Sequence, residues 1–126
     1  LCDRFHDSTI AYQGHGRGLG IDYVENLCAT TCDDVWPDMT LYRDIDPEIG
    51  IARTRHLEKE YAKASETDRF ESEALDFHRR VREGYHLLAE KHPQRVKTVD
   101  AALSQEEIYQ QSLALIENII TMSNIS

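Results

Sequence analysis

Apolar positions recur at helical spacing in four stretches of this chain, and shorter apolar runs lie between them. Ile21, Val24, Leu27, Cys28 and Thr31 predict a first helix. Asp46-Pro47, a cap followed by proline at the first helical position, opens a second that carries Ile49, Ala52, Arg53, His56 and Leu57. Asp68-Arg69-Phe70-Glu71 reads as a capping box with Asp as cap, opening a long helix with Phe70, Phe77, Val81, Tyr85 and Leu88 on one stripe. His92-Pro93 ends it. Ser104-Gln105-Glu106-Glu107 is a second capping box, ahead of a helix lined by Ile108, Ser112, Leu115, Ile116 and Ile119. Residues 39–45, with Leu41 and Ile45 as their firmest apolar members, predict a strand, and residues 95–99 another. Leu1-Cys2 reads as the tip of a third. Ser8 or Thr9 is expected to cap a short helix through Tyr12. Glycines at 14, 16, 18 and 20 predict a loop after it, and the polar run 58–67 a mobile surface segment. Strands alternating with helices argue an α/β fold with a parallel sheet. Three strands, one of them only a tip, leave edges bare, so a stable sheet needs further partners.

A chain of 126 residues is enough for one domain, and 40% apolar with 29% charged residues fits a globular one. The net charge of −9 changes the picture of partners: it disfavours a general nucleic-acid or membrane-surface binder, yet leaves room for a small anion held by a few focused arginines. No apolar run is long enough to span a bilayer, and the start does not resemble a signal peptide. Three cysteines, Cys2, Cys28 and Cys32, have no framework spacing, which predicts reduced thiols and a cytoplasmic location. Cys28 and Cys32 lack a partner His or Cys at ligand spacing, so core packing is the plainer reading than zinc.

The candidate chemistry gathers at the start. Asp3-Arg4-Phe5, Asp7-Ser8, Ala11-Tyr12-Gln13-Gly14 and Gly16-Arg17-Gly18-Leu19 place a charged pair, an aromatic stretch and glycines in close succession. They are followed in order by Pro37-Asp38-Met39-Thr40-Leu41, Asp44, Asp46-Pro47-Glu48, Gly50 and Arg53. Then come Asp68-Arg69-Phe70-Glu71, Phe77-His78, Val81-Arg82-Glu83-Gly84-Tyr85 and Val99-Asp100-Ala101. Each tripeptide alone is weak, but the ordered set spans nearly the whole chain. It resembles the carboxyl-terminal part of the bacterial thymidylate kinases. The resemblance implies a P-loop nucleoside monophosphate kinase-like fold, a three-layer parallel α/β sheet whose amino-terminal strands and phosphate loop lie outside this sequence. No Gly-Lys dipeptide occurs here, and the first residue is Leu, so residues 1–126 are expected to be part of one kinase domain, inactive alone, with a lid at about 53–70.

The implied reaction is phosphoryl transfer from ATP to dTMP, with Mg2+, in a cytoplasmic homodimer with no nucleic acid or membrane as partner. Catalysis then consists of positioning and charge neutralisation. The resemblance assigns Asp3 to orienting hydrated Mg2+; the plainer alternative is a turn cap. Arg4 would grip the acceptor phosphate with its two-pronged guanidinium, against an ion pair with Asp3 or Asp7. Thr9 and Gln13 are candidates for reading the thymine edge, since a Gln amide offers a donor and an acceptor; capping and a solvated face are their alternatives. Tyr12 packs against the sugar or serves as a half-buried core residue. Arg17 is a phosphate candidate within the glycine-rich stretch. Arg53, Arg55 and Arg69 would close over the donor phosphates, or else pair with Glu58, Glu60 and Glu66. Asp100, Ala101 and Ala102 would border the adenine. Arg43 departs from the family pattern, which has an apolar residue in a central strand, so it is expected to be paired with Asp44 or Asp46 or to mark an early strand end. Rival readings are another P-loop nucleoside or nucleotide kinase and a non-catalytic acidic helical interaction module.

Overall fold

Two parallel strands and the helices around them are placed by a few strong local signals. The computed structural model describes residues 1–58 and 68–125. In chain order it contains α1 (His6–Thr9), a π-helix (Ile10–Gly16), α2 (Ile21–Thr31), β1 (Thr40–Asp44), α3 (Pro47–Glu58), α4 (Asp68–Lys91), β2 (Val96–Asp100) and α5 (Gln105–Ile125). Asp46 Oδ1 accepts the Glu48 N–H at 2.9 Å, so the Asp-Pro start of α3 is a true cap. At α5 the capping box closes both ways: Glu107 Oε2 accepts the Ser104 N–H at 3.0 Å, and Ser104 Oγ accepts the Glu107 N–H at 3.3 Å. α4 starts at the expected Asp68, although the side chains of that capping box and of Phe70 lie outside the described residues.

β1 and β2 pair in parallel, with Thr40 opposite Val96 and Asp44 opposite Asp100. A parallel pair needs a long crossover, which α3 and α4 occupy. The core lies where the π-helix, α2 and α4 meet: Ile10, Ala11, Val24, Cys28, Val81, Leu88 and Val96 are buried together, with Tyr12, Trp36, Phe77 and Tyr85 packed around them. Phe77, Val81, Tyr85 and Leu88 of the α4 stripe read from the sequence therefore face this core. α5 packs mainly on β2, and Tyr109, Ile116, Ile120 and Met122 stay exposed along it. The three cysteines are free thiols.

Four expectations change. Leu1-Cys2 forms no strand: both residues are exposed, and among the described residues no strand lies beside them to supply hydrogen bonds. Helix starts at His6, ahead of Ser8 and Thr9, and no side-chain cap is made there. Gly14 and Gly16 belong to the π-helix, so only residues 17–20 form a connection. The wide turn shows in the Arg17 N–H, which reaches five residues back to the Tyr12 carbonyl at 2.9 Å. Arg43 is exposed and is not a buried strand charge; it is its neighbour Asp44, on the opposite face of the pleat, that is partly buried and paired with Arg82.

A buried polar knot fixes α1 to the sheet. Asp7 is 2% exposed, and its Oδ2 accepts from the Thr40 hydroxyl at 2.5 Å and from Arg95. The Arg95 guanidinium lies 5.2 Å from the centre of the Trp36 ring, and His6 Nε2–H donates to the Val35 carbonyl at 2.9 Å. The starts of both strands are thereby tied to the helix that carries the candidate site.

Candidate active site

The short helix, its π continuation and the residues before them build a cleft of about 290 Å3, lined by Arg4, Phe5, Ser8, Thr9, Tyr12 and Gln13. Thr9, Tyr12 and Gln13 stand three and four residues apart and therefore share one face of the helical run. Arg4 joins them from the chain before α1 in a left-handed conformation, φ 64°, which is strained for a residue with a side chain. Its guanidinium lies 5.9 Å from the centre of the Tyr12 ring, and that ring meets Phe77 edge-on at 5.9 Å. Asp3 is exposed beside Arg4. The structure thus brings together Arg4, Thr9, Tyr12 and Gln13.

Arg17 goes elsewhere. It follows the end of the π-helix and lines a second cleft of about 700 Å3 with His15, Gly16, Gly18, Phe77 and Arg80. Arg80 Nε–H donates to the Gly16 carbonyl at 3.0 Å, satisfying one of the acceptors left open where the helix stops. His15 pairs with Glu83 at 2.9 Å.

The remaining candidates collect at the carboxyl ends of the strands, the edge at which α/β sheets bind ligands. Arg53 Nη1–H donates to the Ala101 carbonyl at 2.9 Å, the Ala102 N–H to Asp100 Oδ1 at 2.8 Å, and the Ala101 N–H to the Asp44 carbonyl at 2.7 Å. Arg53, Asp100, Ala101 and Ala102 therefore form one cluster. Arg69 lies in the first turn of α4; its side chain and the segment 59–67, with Glu60 and Glu66, lie outside the described residues, as does the side chain of Glu58.

Two contacts that sequence reasoning did not assign join the cleft to the strand ends. Ser8 Oγ and the Tyr85 hydroxyl are 2.7 Å apart, and Tyr85 stacks on Tyr42 with ring centres 4.1 Å apart and planes 9° from parallel. Two residues on from Tyr42, Asp44 accepts a fork from Arg82, Nε to Oδ1 at 2.9 Å and Nη2 to Oδ2 at 3.2 Å, with His86 Nε2 at 3.0 Å. The signal in the sequence was the four-residue spacing of Arg82 and His86, which puts both on one helix face; their target was not readable. Burial pushes the Asp44 carboxyl up, but the hydrogen bonds from Arg82 and His86 outweigh it and hold it below the ordinary value. Burial raises the Tyr42 phenol, and the neighbouring Asp44 carboxylate raises it further; burial raises Tyr85 as well, against the Ser8 hydrogen bond. A carboxyl depressed by folding contributes stability that is complete above its unfolded value of about 3.9 and is lost as pH falls through the folded one. Asp44→Asn is therefore expected to lower Tm most near neutral pH, with the gap to the parent closing as pH drops below about 4. Thermal melts followed by circular dichroism between those limits check this; a gap that stays constant in acid contradicts it.

The chain matches the thymidylate kinase family over residues 1–112. Over 117 residues it is 44% identical to the thymidylate kinase of Protochlamydia amoebophila (strain UWE25), covering 93% of this chain and 52% of that protein. Over 125 residues it is 41% identical to the thymidylate kinase of Bacillus pumilus (strain SAFR-032), covering 99% and 57%. A crystal structure of thymidylate kinase from Ehrlichia chaffeensis superimposes with a TM-score of 0.61 at 27% identity, over 92% of this chain and 47% of that one. The chain spans about half the length of the curated relatives it matches.

Proposed function

The chain belongs to the thymidylate kinase family, and from that premise we propose that the full-length protein carrying it transfers the γ-phosphoryl group of ATP to dTMP. An oxygen of the dTMP phosphate forms the new bond to the γ-phosphorus, the bond from that phosphorus to the β,γ-bridging oxygen breaks, and dTDP and ADP leave. The single observation that carries this reading is the cleft that unites Arg4, Thr9, Tyr12 and Gln13. Arg4 offers a planar fork for the acceptor phosphate, and Gln13 with Thr9 offers donors and acceptors for the pyrimidine amide edge. Tyr12, held by Phe77, forms the wall for the sugar. Arg17 is then an outer phosphate contact reached from the neighbouring cleft. On the donor side, Asp100, Ala101 and Ala102 border the adenine, and Arg53 and Arg69 serve a lid at about 53–70, of which residues 59–67 lie outside the described residues.

The family reaction uses Mg2+. Among the described residues no three His, Cys, Asp or Glu side chains group as an all-protein metal cage. One exposed carboxylate, Asp3, next to the phosphate-gripping Arg4 fits an ion that keeps its waters and takes few protein ligands. When bound, the ion would neutralise charge on the transferring phosphates; Asp3 would hold one of its waters. The reading extends to residues 1–126 as part of one kinase domain, in a cytoplasmic homodimer. The net charge of −9 supports small nucleotides rather than nucleic acid or membrane surface as partners.

The test is ADP release by the full-length protein, with Mg2+ and ATP, in the presence of dTMP, dUMP, dCMP or dGMP. A rate that depends on dTMP and exceeds the others is expected. Preference for another nucleotide favours the broader kinase reading, and absence of acceptor-dependent ADP release overturns both.

A further inference from the structure

We propose that Gly84 is a positioning residue for acceptor recognition: it lets the π-helix rest backbone-first on α4 and so sets where Tyr12 and Gln13 stand in the cleft. The inference rests on the dTMP reading above. A Cβ added at Gly84 would lie 2.9 Å from His15 Cβ and 3.2 Å from both Cα and O of Ala11. Two of those three atoms are backbone and cannot rotate away. The approach is reciprocal, because a Cβ on Gly16 would lie 2.9 Å from Val81 Cγ2 and 3.0 Å from Phe77 Cε2. Gly16 and Gly84 thus form a two-point seat between the π-helix and α4. Arg80, holding the Gly16 carbonyl, clamps its end.

What rides on this seat is the face of the cleft that reads the nucleotide. Tyr12 directly follows Ala11, the residue pressed against Gly84, and its ring is wedged on Phe77, the residue pressed against Gly16. Tyr85 directly follows Gly84 and bonds Ser8 on the cleft wall. Arg4 stands outside the seat, on the chain before α1. A methyl group at position 84 must therefore lift the π-helix from α4 and move Tyr12 and Gln13 relative to Arg4, while its three nearest atoms all belong to His15 and Ala11 and none to the donor cluster around Arg53 and Ala101. A π turn is rare, and such turns are frequently found at functional sites.

The test uses the full-length protein and the variants Gly84→Ala, Gly16→Ala and Gly16→Ala/Val81→Ala. Gly50→Ala is the control, since its Cβ would meet only Ile45 Cγ2 at an ordinary 3.5 Å. Gly84→Ala is expected to raise KM for dTMP about tenfold or more, within the roughly 10²-fold that a misplacement of about 1 Å can cost, with KM for ATP unchanged and the preference for dTMP over dCMP reduced. Gly16→Ala should shift the same quantities less, because its two tight contacts are side-chain and not backbone atoms, and removal of Val81 Cγ2, the nearer of the two, should reduce the shift. The pair at 16 and 81 decides the matter if Gly84→Ala does not fold. A parent that turns over dTMP, with soluble variants that keep its KM and preference, overturns the inference alone. So do variants that lose thermal stability with both KM values unchanged. A parent that does not use dTMP overturns the functional reading and this inference with it.

Discussion

Asp7→Ala is expected to lower the folding stability of the full-length protein by about 3–5 kcal/mol, the usual cost of removing one partner from a buried ion pair. The residue is 2% exposed, and its partner Arg95 retains only 16% of its side-chain exposure. Without the carboxylate, the Arg95 guanidinium stays packed on the Trp36 ring with its opposite charge gone, and the Thr40 hydroxyl loses its acceptor. Coulomb attraction at this depth is poorly replaced by water, because the carboxylate position is almost wholly buried. A domain is stable by about 5–15 kcal/mol in all, so the variant should be close to unfolding at growth temperature. Asp7→Asn keeps the shape and one acceptor and is expected to lose less. Arg95→Met in the Asp7→Ala background should recover part of the loss, since no unpaired charge then remains. Urea denaturation measures each term. A loss below about 1 kcal/mol for Asp7→Ala would put this pair in the class of exposed bridges and contradict its role as the anchor of α1.

That anchor was invisible in the sequence for a physical reason. Asp7 precedes Ser8 and Thr9 at the start of a helical run, a place where an acidic residue normally faces water and the helix dipole. Its burial depends on Arg95, 88 positions further on, and on the first residue of β1. Local preference carries no trace of such a partner. The capping box at α5 is the opposite case. Ser104 and Glu107 satisfy each other within one turn, so a four-residue window was enough to place the start of α5.

The glycines divide along the same line. Gly18 and Gly20, with φ of 77° and 99°, are used for backbone freedom, and a loop is the correct reading of them. Gly14 and Gly16 look identical in sequence but are helical, and what matters at Gly16 is the missing Cβ facing α4. Composition alone cannot separate freedom from close approach. Among the candidate site residues, Thr9, Tyr12 and Gln13 were legible together as neighbours because one turn of helix joins them. Arg17 separated from them because the helix ends at Gly16, which turns its neighbour toward Arg80 and Phe77. Arg82 and Tyr85 stood out only as members of a motif and an apolar stripe, and His86 not at all; their contacts with Asp44 and Ser8 appear once α4 crosses the sheet.

The largest effect on turnover is expected at Arg4, and it should separate from stability. In the proposed acceptor role, Arg4→Ala removes the charged donor to the phosphate, and loss of one such preorganised donor typically lowers the rate 10²–10³-fold, about 3–4 kcal/mol. Arg4→Lys keeps the charge without the planar fork and is expected to fall between the parent and Ala. The backbone makes the decisive variant Arg4→Gly. At φ 64° an L-residue is strained by about 1–2 kcal/mol, whereas glycine adopts this conformation without a Cβ clash. Glycine also widens the unfolded ensemble, which takes back part of that gain. Arg4→Gly should therefore fold no less stably than Arg4→Ala, and more stably if the strain exceeds the entropy term, while matching its loss in kcat/KM for dTMP. A purely structural arginine predicts the reverse order: activity would follow stability, and Gly would outperform Ala in both. Parallel urea titrations and dTMP kinetics on the three variants distinguish the two. If Arg4→Gly keeps kcat/KM within threefold of the parent, the strained backbone is not holding a phosphate-gripping side chain, and the cleft loses its proposed acceptor role.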